Sequence, residues 1–175
     1  MCKRIGCWSN LFKKTFNPLK ETKDVHKHRN KFEERELKEF SILFLVINNL
    51  DIFRKNIELI SEITFSNNIM DDLKQKLIDY LLSERFLEKK KINIDDFDEK
   101  FKDMINLINN IAPVKIIYKN KNENEIIIMF NEIKNEIEKI KLQEKIEFLE
   151  GKVSLNLDEN LYSELLSLRN QLKGG

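Results

Sequence analysis

The stretch ENEIIIMFNEIKNEIEKIKLQEKIEFLE, residues 123–150, contains neither glycine nor proline. As one helix it would be about 40 Å long at 1.5 Å per residue, and it far exceeds an ordinary strand. Its apolar positions change face part-way. Ile126, Phe130, Ile133, Ile137 and Ile140 are spaced 4, 3, 4, 3, the repeat of one helix side. Carried further, that register meets Glu144 and Glu147, whereas Leu142, Ile146, Leu149 and Val153 begin a second stripe spaced 4, 3, 4. The sequence thus predicts a long helix that packs one partner with its first half and a different partner with its second.

The second partner follows directly. Gly151 is expected to terminate the long helix, Asp158 to cap a new one, and Leu161, Leu165, Leu168 and Leu172 repeat 4, 3, 4 along it. Two apolar stripes joined by a short loop make an antiparallel helical hairpin. A further row on the last helix, Tyr162, Leu166, Arg169 and Lys173, also spaced 4, 3, 4, points away from the seam, where nothing within the hairpin is expected to cover it. An aromatic, a leucine and an arginine in one uncovered row have the composition of an interface hot spot, so these four are the candidate partner-binding residues. The competing expectation is that the row packs back on the rest of the protein.

Towards the N-terminus the pattern is helical from Phe32, and its run Phe40-Ser41-Ile42-Leu43-Phe44-Leu45-Val46-Ile47 is apolar on all sides and is broken by Asn48-Asn49. It should be the central, most buried helix. A short helix capped by Asp51 is expected to carry Ile52, Phe53, Ile57, Leu59, Ile60 and Ile63. Asn67 or Asn68 starts the next, with Met70, Leu73, Leu77, Tyr80 and Leu81 on one face. Ile94-Asp95-Asp96-Phe97 is expected to open another, carrying Phe97, Phe101, Met104, Ile105 and Ile108. Pro113 interrupts it, and Val114–Tyr118 reads as an extended connection or a short helix, since a lone strand has nothing to pair with. Lys119-Asn120-Lys121-Asn122 forms the exposed loop before the long helix.

Composition agrees with an all-α protein. Of 175 residues only 4 are Gly and 2 are Pro, too few for the turns of β-sandwiches or the phosphate-cradling loops of Rossmann and P-loop enzymes. Ile, Lys and Asn together make up 68 residues and Ala occurs once, at Ala112; all three abundant types use A/T-rich codons. The organisation expected is a basic, disordered tail over 1–31, a helical bundle over 32–140 and a terminal hairpin over 141–175.

The net charge of +1 hides an asymmetry. Residues 1–31 hold 9 Lys/Arg against 2 acids, leaving 22 basic and 28 acidic groups in the remainder. A +7 arm on a −6 body suits weak contact with nucleic acid through its lysines and Trp8, Phe12 and Phe16. A membrane-surface helix over Trp8, Leu11, Phe12 and Phe16 is disfavoured, because Pro18 ends it early. No stretch is long enough to span a bilayer. Cys2, Cys7, His26 and His28 all lie in the arm, and their order C-x4-C-x18-H-x-H fits no compact zinc module. Asp96-Phe97-Asp98 and Asp71-Asp72 read as helix-start acids rather than as magnesium ligands. From Phe32 onward there is no histidine and no cysteine, so neither metal, cofactor nor catalytic residue is expected, and a reducing cytoplasm fits.

The stretches Leu149–Lys152 and Leu157–Leu172, together with residues 36–50, resemble the C-terminal end of bacterial DnaG-type DNA primases, in which a long helix is followed by a capped turn and a final Leu-rich helix. The similarity covers residues 33–175. It implies a helicase-interaction domain, a helical bundle plus a hairpin that docks on the N-terminal domain of the replicative DNA helicase within the primosome. The aromatic that the family carries on its long helix, usually tryptophan, is matched by Phe130. The family's zinc-binding module and magnesium-binding polymerase core have no counterpart here. The resemblance therefore implies a non-catalytic module in DNA replication. The alternative is a stand-alone helical protein that dimerises or binds another partner helix through its seam.

Overall fold

A computed structural model describes residues 31–83, 95, 97–155 and 158–174. Among them there is no strand. The elements are α1 (Glu34–Asn48), α2 (Leu50–Lys55), α3 (Ile57–Ser61), α4 (Asn68–Leu82), α5 (Glu99–Ile111), a short 3-10 helix (Pro113–Ile116), α6 (Glu123–Leu155) and α7 (Glu159–Gly174). The arm and its candidate groups Cys2, Cys7, His26, His28, Trp8, Leu11, Phe12 and Phe16 lie outside the described residues, as does Asp96.

α1 is the axis of the bundle. Its apolar run is enclosed: Ile42, Leu43, Leu45 and Val46 expose none of their surface, which suits a helix with apolar residues all round. It packs on α6, α5 and the 3-10 helix. The ring of Phe44 meets Tyr118 edge-on at 5.1 Å between centroids, and the ring of Phe53 lies 4.9 Å from that of Phe130. These pairs link α1 and α2 to the segments that lead into and through α6. Each fully buried apolar side chain of this size contributes about 1.5–3 kcal/mol of transfer free energy.

Asparagine side chains mark the helix ends. The side-chain amides of Asn48, Asn49 and Asn56 donate to the carbonyls of Phe44, Leu45 and Ile52, four residues back, at 2.8–2.9 Å. Each thereby satisfies a carbonyl near a helix C-terminus. This divides the expected Asp51 helix into two: α2 begins at Leu50, Asp51 sits in its first turn, and Asn56 separates α2 from α3. At the start of α4 the Asn67 side chain accepts from the Ile69 N–H at 2.8 Å, as a cap requires.

Two further expectations are corrected. α5 starts at Glu99, later than expected, while Ile94 lies outside the described residues: Asp98 precedes the helix with extended backbone, its carbonyl receiving the N–H groups of Phe101 and Lys102. Phe97 stands before the helix and packs on the core from outside it. Gly151 does not terminate α6, which continues to Leu155. A single glycine costs a helix only about 1 kcal/mol, and the apolar Val153 beyond it still packs against α7. The segment after Pro113 takes the short-helix form.

α6 carries the two-faced design. Ile126, Phe130 and Ile137 are buried in the bundle with Ile133 packed beside them, and Met129, which the spacing did not single out, joins them. Ile140 is only half-buried. Ile146 and Leu149 are buried in a separate cluster with Leu165 and Leu168, flanked by Leu142, Val153, Leu161 and Leu172. Ile126 and Leu142 are 16 positions apart, about 160° around a helix, so the bundle and α7 lie on nearly opposite sides of α6.

Candidate functional site

α7 is held in place by few interactions. The Asp158 carboxylate accepts from the Asn160 N–H at 2.8 Å and so caps its N-terminus. Four leucines then close the seam on α6. Ion pairs stand on either side: Lys145 to Glu164 at 2.8 Å and Arg169 to Glu150 at 2.7 Å. Together they fix the antiparallel register.

The candidate row divides in two. Tyr162 and Leu166 are exposed, at 50% and 42%. With Asp158, Glu159 and Ser163 they line a shallow groove of about 450 Å³. An apolar floor beside two carboxylates favours a ligand that is apolar with positive charge at its edge. Lys173 is exposed in the last turn, where a cation suits the helix dipole. Arg169 is exposed but not unpartnered: its guanidinium reaches across the hairpin to Glu150, which corrects the expectation that nothing within the hairpin engages the row. Among the described residues the rest of the row does not fold back on the bundle; the hairpin's apolar cluster is separate from the bundle's.

No family model, curated protein or solved structure matches the chain. The site therefore rests on its own geometry. Among the described residues no group of three or more His, Cys, Asp or Glu could hold a metal ion, and no helix is long and apolar enough to cross a membrane. Asp71 accepts from Lys74 at 2.9 Å and from the Phe65 N–H at 3.2 Å, and Asp72 pairs with Lys100 at 3.5 Å. Both act as local structural partners.

One group escaped the sequence reading. Glu39 is completely buried in α1, and its carboxylate accepts from Arg35 at 3.0 Å and from the backbone N–H and hydroxyl of Ser66. A buried carboxylate needs such partners. It fastens the α3–α4 connection to α1. Arg35 continues to Glu144 on α6 at 2.6 Å. Burial works against the charge on Arg35, but the two carboxylates outweigh it and hold the guanidinium pKa above its ordinary value. The spacing Arg35 to Glu39, four apart, was the only available signal.

Proposed function

We propose that the chain is a non-catalytic interaction module that docks on the N-terminal domain of a replicative DNA helicase and so recruits or regulates priming. The observation that carries this reading is the Tyr162–Leu166 pair, exposed on a helix that leaves the bundle on the far side of α6. Large apolar side chains in the open, on a capped and ion-paired helix, are preorganised for a partner and need little ordering on binding. The resemblance of residues 33–175 to primase C-terminal domains supplies the identity of the partner, and the absence of histidine and cysteine after His28 accords with a role in binding. The basic arm adds sequence-independent attraction to DNA at the same assembly.

The alternative, dimerisation through the hairpin seam, has less support, since Leu165 and Leu168 already fill that seam against Ile146 and Leu149 of the same chain. The deciding experiment is binding of the purified chain to the helicase N-terminal domain. Tyr162→Ala with Leu166→Ala should abolish binding and leave helicity and melting temperature close to wild type, because neither side chain fills a core. Wild-type affinity in the double variant would assign the interface to another surface.

A further inference from the structure

We infer that a second copy of this chain docks on the outer face of α7, the two α7 helices packing antiparallel about a two-fold axis at Leu166. This symmetric contact goes beyond the preceding reading. It uses the same row of residues and keeps the helicase off that row while it lasts.

The face is defined by spacing. Glu159, Tyr162, Leu166, Arg169 and Lys173 follow one another at 3, 4, 3, 4, so they fall within about 80° of arc on one side of α7. All five are exposed, whereas the inner stripe of Leu161, Leu165, Leu168 and Leu172 is already used against α6. α7 therefore carries two seams, of which its own chain fills one.

The outer row is complementary to itself, and in one direction only. Glu159 lies seven positions before Leu166 and Lys173 seven positions after it, about two helical turns either way. Reversing a second α7 about Leu166 sets leucine on leucine, brings each Glu159 opposite the Lys173 of the other copy, and lays each Tyr162 ring beside the other copy's Arg169. Neither Glu159 nor Lys173 forms an ion pair with another described residue, and Arg169 can keep its bond to Glu150 while the flat side of its guanidinium stacks on the ring. A parallel pair would instead face Glu159 with Glu159 and Lys173 with Lys173, a like-charge arrangement that opposes association. Charge thus selects both the partner and its direction.

The rest of the molecule leaves room for it. α7 runs back along α6 towards the bundle, and the bundle lies on nearly the opposite side of α6. Reversing one copy sends the two bundles to opposite ends of the pair. A net charge of +1 puts little long-range repulsion between copies. α7 has 16 residues, about 24 Å of helix, so two of them bury a total below about 1,200 Å², the size class of weak and transient contacts. The dimer is therefore dependent on concentration.

Sedimentation equilibrium of the purified full-length chain, followed up to about 1 mM, tests this. The wild type should pass from monomer to dimer and no further, because a two-fold contact closes on itself. Glu159→Lys sets lysine against lysine at both ends of the contact, and Lys173→Glu sets glutamate against glutamate, so each variant alone should dimerise about tenfold more weakly. An equimolar mixture of the two variants restores both opposite-charge pairs and should regain the wild-type dimer; a variant that had failed to fold could not be rescued in this way. Leu166→Arg should be monomeric alone and in mixture with either variant. A wild type that is monomeric at every concentration would overturn the inference. So would a dimer indifferent to these substitutions, charge variants that remain monomeric when mixed, or oligomers that grow beyond two. No helicase is present, so these outcomes leave the helicase reading standing, and a chain that dimerises in this way without binding helicase would sink that reading alone.

Discussion

Nη1 of Arg35 lies 2.6 Å from Oε2 of Glu144, at the place where the bundle stripe of α6, continued past Ile140, runs out of apolar residues. An ion pair closes the face that hydrophobic packing leaves open. Elsewhere along the same helix, Lys55 pairs with Glu123, Lys134 with Glu62, and Lys38 with Glu136. α6 is thus tied to the bundle by charge from its first turn to its midpoint.

The two carboxylates on Arg35 differ in what they risk. Arg35→Ala strands the completely buried Glu39 with Ser66 alone, and breaking a buried pair in this way should cost about 3 kcal/mol. Glu144 is nearly half exposed, so Glu144→Gln should cost less than about 1 kcal/mol. Urea unfolding of the two variants compares them directly; equal costs would show that Glu39 is not the group at risk.

Leu45→Ala and Phe44→Ala test the axis of the bundle. Both sites are buried, and cavity formation should cost about 2–5 kcal/mol in each. Thermal melting unchanged in both would move α1 to the surface.

Gly151→Ala should stabilise the hairpin by about 1 kcal/mol, because Gly151 is inside a helix and a Cβ there meets nothing within 4 Å. The expected sign is seen as slower amide exchange over residues 146–155. Faster exchange would mean that the helix does end at this glycine.

Glu125 gives a pH signature at the start of α6. Its carboxylate accepts from the Asn122 N–H at 2.9 Å and from Lys121 at 2.9 Å, while the Asn122 side chain accepts from the Glu125 N–H at 3.0 Å. The backbone bond from Asn122, then Lys121, holds its pKa below the usual carboxylate value. A depressed folded pKa means that the contribution is present above the unfolded value, about 4.3, and is lost as pH falls through the folded one. The Asn122 amide should therefore exchange faster below that range, and Glu125→Gln should remove the pH step.

The fold was readable wherever one period dominated. α6 and α7 have uninterrupted 4, 3, 4 stripes, and α1 has a run too apolar to face water. The differences at Asp51 and Gly151 share a cause: each residue favours a helix boundary locally, but an asparagine side chain or tertiary packing sets the boundary instead. Asp51 looks like a cap, but Asn56 divides the segment. Gly151 looks like a stop, but Val153 has a partner on α7. Glu39 was invisible for a different reason. Its burial depends on Ser66, 27 positions away, and no periodicity in α1 announces that contact. At the candidate row, exposure of Tyr162 and Leu166 followed from helical phase alone, whereas the Arg169–Glu150 pair required the register of two helices.

Because a single uninterrupted helix joins the bundle to the hairpin, residue number between the two stripes acts as an angular coordinate. One residue inserted between Ile140 and Leu142 would swing α7 by about 100° about the axis of α6 and advance it by only about 1.5 Å, whereas seven inserted residues would return it to within about 20° of its present bearing. Neither apolar cluster would lose a member. The direction in which Tyr162 and Leu166 face is thus encoded by a count of residues, and insertions could re-aim the surface without touching a single side chain on it.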